Sequence, residues 1–138
     1  MSAIGAFLDA TGTYELTSSE GYEQYLESIG VDLANRKAMA SAQQTVEIKQ
    51  EGDHYTLTTT TPAKKTVSQF TLGQEYIEEF GDGRQCHGIC RRDGNRVFQH
   101  LKVGGFKAAV VYQFDDKGFE IMFTGVNTDA KRTYRRLA

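Results

Sequence analysis

The sequence predicts an all-β fold, an antiparallel up-and-down meander of ten strands with two short helices after the first. Three observations predict it. From residue 45 onward, short alternating runs are separated by glycine next to Asp or Asn, the strongest local hairpin signal. These runs recur about every 8–12 residues, a spacing that suits a closed barrel or a sandwich. Before residue 45 the apolar period changes from strand-like to helical.

In order, GTYELTSS (12–19) alternates and forms the first strand. In EGYEQYLESIG, Tyr22, Tyr25, Leu26 and Ile29 stand at i, i+3, i+4 and i+7, a helical stripe closed by Gly30. VDLANRKAMASAQ (31–43) is a second short helix with Asp32 as its N-cap. Nine strands follow: 45–50, 54–61, 66–72, 74–80, 84–91, 96–103, 106–114, 119–124 and 131–137. The single proline, Pro62, falls in a turn. A helix pair in the first connection (about 21–43) of such a meander becomes a lid over one mouth. Ten strands also enclose more space than side chains easily fill. HYTLTTTT carries hydroxyls on both faces, so whichever turns inward is partly polar.

Composition narrows the function. At 138 residues one domain spanning 1–138 is expected, and a formal charge of −2 gives no global pull toward nucleic acid or anionic lipid. MSAIGAFLDATG lacks the basic start and apolar run of a signal peptide, and no stretch is long and apolar enough to cross a bilayer as a helix. A cytosolic protein without cofactor is the expectation. Cys86 and Cys90 sit four residues apart on one strand, about 13 Å from each other, whereas a disulfide needs Cα atoms within about 7 Å. His87 points to the other face, so neither a zinc site nor a Cys–His pair is expected. His54, His87 and His100 lie on different strands and make no catalytic set. No enzyme activity and no metal are expected.

The last run, KRTYRRL, puts Arg132, Tyr134 and Arg136 on one face and Lys131, Thr133 and Arg135 on the other. If the first face looks into a cavity, Arg132 and Tyr134 become two hydrogen-bond donors aimed at one anion. Phe98 and His100 share a face that would place a polar group in the cavity, although a histidine simply built into the wall gives the same pattern. Phe119, Ile121 and Phe123 share a face that lines either a cavity or a core.

GTYELTSSEGYEQYL closely resembles the start of the fatty-acid-binding proteins, the intracellular lipid-binding family, through Gly12, Tyr14, Leu16, Tyr22, Glu23 and Leu26. Gly21 departs from it, since Asn is common there. The resemblance continues through GVDLANRKAMA (30–40), GDHYTL (52–57), LGQEY (72–76), DGR (82–84) and the terminal KRTY. It implies a ten-stranded barrel capped by a helix–turn–helix. It also implies a monomeric carrier of a long-chain fatty acid or similar hydrophobic carboxylate. The family's R-x-Y on the last strand is Arg132-Thr133-Tyr134, whose guanidinium and phenol would clamp the carboxylate. Tyr22 on the first helix could pack over the acyl chain or only dock the lid.

Two departures alter that expectation. The first arginine of the family clamp aligns at Val111, or at Val110 or Tyr112 if the register slips by one, and no Arg occupies any of the three. Gln113 or Lys107 would have to take part, or the clamp works through one cation and ordered water. The loss keeps a retinoid or another hydrophobic ligand open as the alternative. The portal position often held by Phe aligns with Ala63. Arg36, Lys37, Lys64 and Lys65 could form a basic rim for transient membrane contact; a solvated face is the simpler reading of the same four.

Overall fold

The structure, a computed structural model, describes residues 8–138. Residues 1–7 of the stretch read above for a leader lie outside the described residues. The elements are β1 (Gly12–Glu20), α1 (Tyr22–Ser28), α2 (Leu33–Ser41), β2 (Thr45–Glu51), β3 (His54–Thr60) and β4 (Lys65–Thr71). They continue with β5 (Tyr76–Glu79), β6 (Gln85–Asp93), β7 (Arg96–Val103), β8 (Phe106–Asp115), β9 (Gly118–Thr124) and β10 (Asp129–Arg136). All ten strands join one antiparallel sheet in the order β4-β3-β2-β1-β10-β9-β8-β7-β6-β5. A continuous sheet of this order is a barrel wall and not a sandwich. Element ends differ from the sequence reading by at most two residues, as in a shorter β5, which starts at Tyr76, and a β10 that starts at Asp129.

The sheet closes around an apolar interior. Side chains from every wall meet there, among them Tyr14, Ile48, Tyr55, Phe70, Cys90, Val97, Phe114 and Phe119. The end strands β4 and β5 are not paired, but side chains cross the gap. Ser68 Oγ donates to Glu78 Oε2 at 2.7 Å, and the Phe70 and Tyr76 rings lie 5.9 Å apart.

The end away from the helices is sealed. Arg92 donates to Tyr55 Oη at 2.6 Å and to the Leu8 carbonyl at 2.6 Å. Arg136 donates to the Thr11 carbonyl at 3.0 Å and to Tyr14 Oη at 2.9 Å, and Tyr14 donates to the Ala10 carbonyl at 2.7 Å. The bonds to the Leu8, Ala10 and Thr11 carbonyls tie strands to the segment before β1, and the other two tie strand to strand.

The helices cover the other end unequally. α1 buries Tyr25 and Leu26, and Ile29 just after it is also buried. It starts at Gly21, whose φ of +71° and whose place 2.8 Å from the Asp129 carbonyl (measured from an added Cβ) both demand glycine. α2 has no buried residue. It is held to α1 by ion pairs from Lys37 to Glu23 (2.9 Å), Arg36 to Glu27 (3.3 Å) and Arg36 to Glu23 (3.7 Å). Asp32 occupies the N-cap position of α2 without a side-chain cap bond and accepts instead from Asn35 at 2.6 Å.

Candidate functional site

Strand β10 carries the central group. Ala130, Arg132 and Tyr134 alternate inward and are buried, opposite Phe123, Ile121 and Phe119 of β9. On its other side β10 pairs with β1, where the register shifts between Leu16 and Ser18. That bulge at Thr17 reverses the parity of the strand beyond it. Ser19, not Ser18, therefore stands opposite Arg132 on the inner face.

Arg132 is 1% exposed, an extreme value for a guanidinium. Its Nε donates to Ser19 Oγ at 3.2 Å. Its central carbon sits 4.0 Å from the centroid of the Tyr22 ring on α1, a cation–π contact. Its Nη2 is buried without a hydrogen-bond partner. Among the described residues no carboxylate pairs with it. A buried charge without a counterion costs several kcal/mol, so the site favours an incoming anion. Tyr134 lies two residues along with its ring stacked 4.6 Å from Phe119, and its hydroxyl donates to Gln44 Oε1 at 2.8 Å. Burial pushes the Tyr134 phenol well above its ordinary range, against the lowering effect of Arg132. Burial raises the Tyr22 phenol too, again opposed by Arg132. Both phenols therefore remain protonated donors at neutral pH.

The inner face holds some of the residues proposed from sequence and excludes others. Arg132, Tyr134, Phe119 and Ile121 face inward, and Tyr22 covers Arg132 from the lid. Phe98 and His100 do share a face of β7, but it is the outer one: His100 is exposed and Phe98 half-buried. The inward residues are Val97, Gln99, Leu101 and Val103. Three aliphatic side chains outweigh one aromatic in choosing the buried face. On β8, Val111 and Gln113 also face outward, as does exposed Lys107, so neither Gln113 nor Lys107 can join the clamp. The inward residue is Tyr112, which faces Ile121 as Ile121 faces Arg132. Tyr112, one residue beyond Val111, thus stands inward on that row, and burial raises its phenol strongly.

Ser19 and Gln44 went unnoticed in the sequence. Ser19 reaches the site only through the bulge, and Gln44 lies in the α2–β2 connection, where no periodicity marks a side chain. Arg36 and Lys37 are engaged by Glu23 and Glu27 inside the lid, which weakens the reading of a basic rim; Lys64 and Lys65 are exposed. Cys86 and Cys90 are free and buried, and burial pushes each thiol up to about 11.

A recess inside the barrel is lined by Ile48, Tyr55, Leu57, Phe70, Val97, Tyr112 and Phe114. A larger depression of about 550 Å³ lies among outward-facing Ile77, His87, Ile89, His100, Lys102 and Lys107, away from Arg132. Among the described residues no group of His, Cys, Asp and Glu could hold a metal, and no helix is long and apolar enough to cross a membrane.

Comparison with known proteins supplies the context. The model of the lipocalin / cytosolic fatty-acid binding protein family matches residues 11–128, stopping just short of Arg132 and Tyr134. The chain is 40% identical over 94 residues to sodium/calcium exchanger regulatory protein 1 of Doryteuthis pealeii, covering 68% of this chain and 71% of that one. It is 30% identical over 134 residues to fatty acid-binding protein 5 of Rattus norvegicus, covering 97% and 99%. In structure it matches the fatty acid-binding protein from brain tissue of Drosophila melanogaster with a TM-score of 0.84 and 37% identity, covering 93% and 99%. The matched family is one of binding proteins and not of enzymes. With ten antiparallel strands around an apolar interior, two helices across one mouth and this breadth of match, the chain belongs to the lipocalin / cytosolic fatty-acid binding protein family.

Proposed function

We propose that this protein binds a long-chain fatty acid non-covalently inside the barrel and carries it through the cytosol as a monomer. Arg132 takes the carboxylate on its free Nη2, Tyr134 adds a neutral donor by turning its hydroxyl from Gln44 to the ligand, and Tyr22 covers the head group from the lid. One observation carries this reading: a guanidinium 1% exposed, with an unpartnered nitrogen and no carboxylate beside it. An incoming carboxylate provides what that group lacks, and charge-assisted bonds of this kind are about twice as strong as neutral ones. The names of relatives and of matching structures support the ligand class.

The test is a titration with oleic acid and with its methyl ester. The acid is expected to bind at least about tenfold more tightly, because only the acid makes the charged bond. Equal affinity would show that the head group is not held by charge. Tyr112 in place of a second cation favours one other reading, a neutral hydrophobic ligand such as a retinoid. Preferential binding of the ester, or a neutral lipid found by native mass spectrometry of the purified protein, would promote it.

A further inference from the structure

The depression of about 550 Å³ on the outer wall has no part in the carrier reading, and its lining is sorted by chemistry. It runs across four strands between two rows of outward side chains. The strand register sets the first row: Ile77 on β5, His87 on β6, Lys102 on β7 and Lys107 on β8 stand opposite one another in turn. At about 4.8 Å per strand this row is about 14 Å long. In the second row Ile89 stands opposite His100. The β5–β6 end is apolar, with Ile77 59% exposed and Ile89 half-buried beside it. It is also acidic, since Glu75 lines it and Glu79 is exposed two residues beyond Ile77. The β7–β8 end is cationic, and the two histidines lie between the ends.

Lys102 and Lys107 carry the argument. They face each other directly on neighbouring antiparallel strands, an arrangement that destabilises a sheet when the charges are alike. Among the described residues no carboxylate pairs with either lysine, and neither makes a side-chain hydrogen bond. Two ammonium groups side by side match a phosphate monoester, which brings about −1.5 to −2 charge at neutral pH and three acceptor oxygens. Glu75 and Glu79 turn such a head away from β5. The groove therefore sets an orientation, with the head on the lysines and an apolar body over Ile77 and Ile89. Its volume lies within the range of small-molecule sites. Arg132 faces the interior, so the barrel wall separates the two cationic sites.

We propose that this groove is a second, outward binding site for a phosphate monoester carried on an alkyl chain, either free in solution or as the head of a lipid in a bilayer. Lys102 and Lys107 hold the phosphate, His87 and His100 offer ring N–H donors along the groove, and Ile77 and Ile89 cover the methylenes. The site does not depend on what the barrel holds.

The experiment is an NMR titration of the full chain, first mixed with excess oleic acid, using hexyl phosphate, inorganic phosphate and 1-hexanol as probes. Hexyl phosphate is expected to shift the amide signals of residues 87–89 and 100–102 and to bind about tenfold more tightly than either of the other two. Replacing both Lys102→Gln and Lys107→Gln parts two like charges and so keeps the fold, while affinity is expected to fall about tenfold or more. Ile77→Ser is expected to weaken hexyl phosphate about threefold and to leave inorganic phosphate unchanged. Shifts confined to residues around Arg132, inorganic phosphate bound as tightly as hexyl phosphate, or unchanged affinity in the lysine variant would each overturn the inference. Vesicles of phosphatidylcholine with and without phosphatidic acid separate the two sources. Sedimentation of the wild type but not the lysine variant with the phosphatidic acid vesicles supports the site with a bilayer lipid as its ligand. Hexyl phosphate bound without any vesicle binding supports it with a free one.

Discussion

Replacing Arg132 by Met separates what the guanidinium does for binding from what it does to the fold. The empty protein holds this cation out of water with one bond to Ser19 and one ring contact to Tyr22. Several kcal/mol of desolvation are set against about 1.5 kcal/mol from the first contact and about 2 kcal/mol from the second. A shortfall of about 1–3 kcal/mol remains. Met is of similar length, flexible and uncharged, so Arg132→Met removes the shortfall without opening a large void. Unfolding of the ligand-free variant is expected about 3–10 °C higher than that of the wild type. Oleic acid should bind about 10- to 150-fold more weakly, reflecting loss of about 1.5–3 kcal/mol. Calorimetric melting with and without ligand reads both effects together. At a ligand concentration 100 times its Kd the wild type gains about 2.7 kcal/mol, and the variant much less at the same concentration. A variant that melts lower when empty and still binds oleic acid as tightly as the wild type would refute the account of Arg132 as an uncompensated charge.

Two further predictions concern other parts of the molecule. Burial raises the Glu78 carboxyl above its ordinary value of 4.5, opposed by the bond from Ser68. The folded state then holds this proton more tightly than the unfolded chain does, so stability falls as pH rises from about 4.5 through the raised value. Urea melts across that window should show Glu78→Gln losing less stability with rising pH than the wild type, and parallel profiles would exclude the raised pKa. The second prediction concerns the lid: α2 buries nothing and is tied to α1 through Glu23, Glu27, Arg36 and Lys37. Raising salt from 50 mM to 500 mM should speed hydrogen exchange in α2 several-fold while leaving α1 nearly unchanged. Equal acceleration in both helices would show that they open as one piece.

Much of the fold was legible because each signal was local. Glycine turns cut the chain into strands, and Tyr22, Tyr25, Leu26 and Ile29 marked α1 with a period that only a helix explains. The facing of β9 and β10 was legible as well, since Phe119, Ile121 and Phe123 leave no choice of inner face and Arg132 follows from the pairing. On β7 both faces mix apolar and polar groups, so choosing by Phe98 turned His100 the wrong way. On β8 the family register was ambiguous by one residue, and one residue is the whole difference between Val111 outside and Tyr112 inside. Ser19 depends on a bulge and Gln44 on a loop, two features that alternation cannot reveal. The Gln99–Tyr76 bond joins β7 to β5 across β6, and alternation along either strand alone cannot reveal it.

The stitched base has a consequence for traffic. With Arg92, Arg136 and Tyr14 binding the segment before β1 across that end, traffic is left to the helix end and the unpaired seam between β4 and β5. Loading and unloading over either one cross the same barrier in opposite directions. A change in the lid that leaves the bound ligand untouched speeds arrival and departure by the same factor and leaves the equilibrium where it was. How long such a molecule keeps a cargo can then be tuned independently of how tightly it holds it at rest.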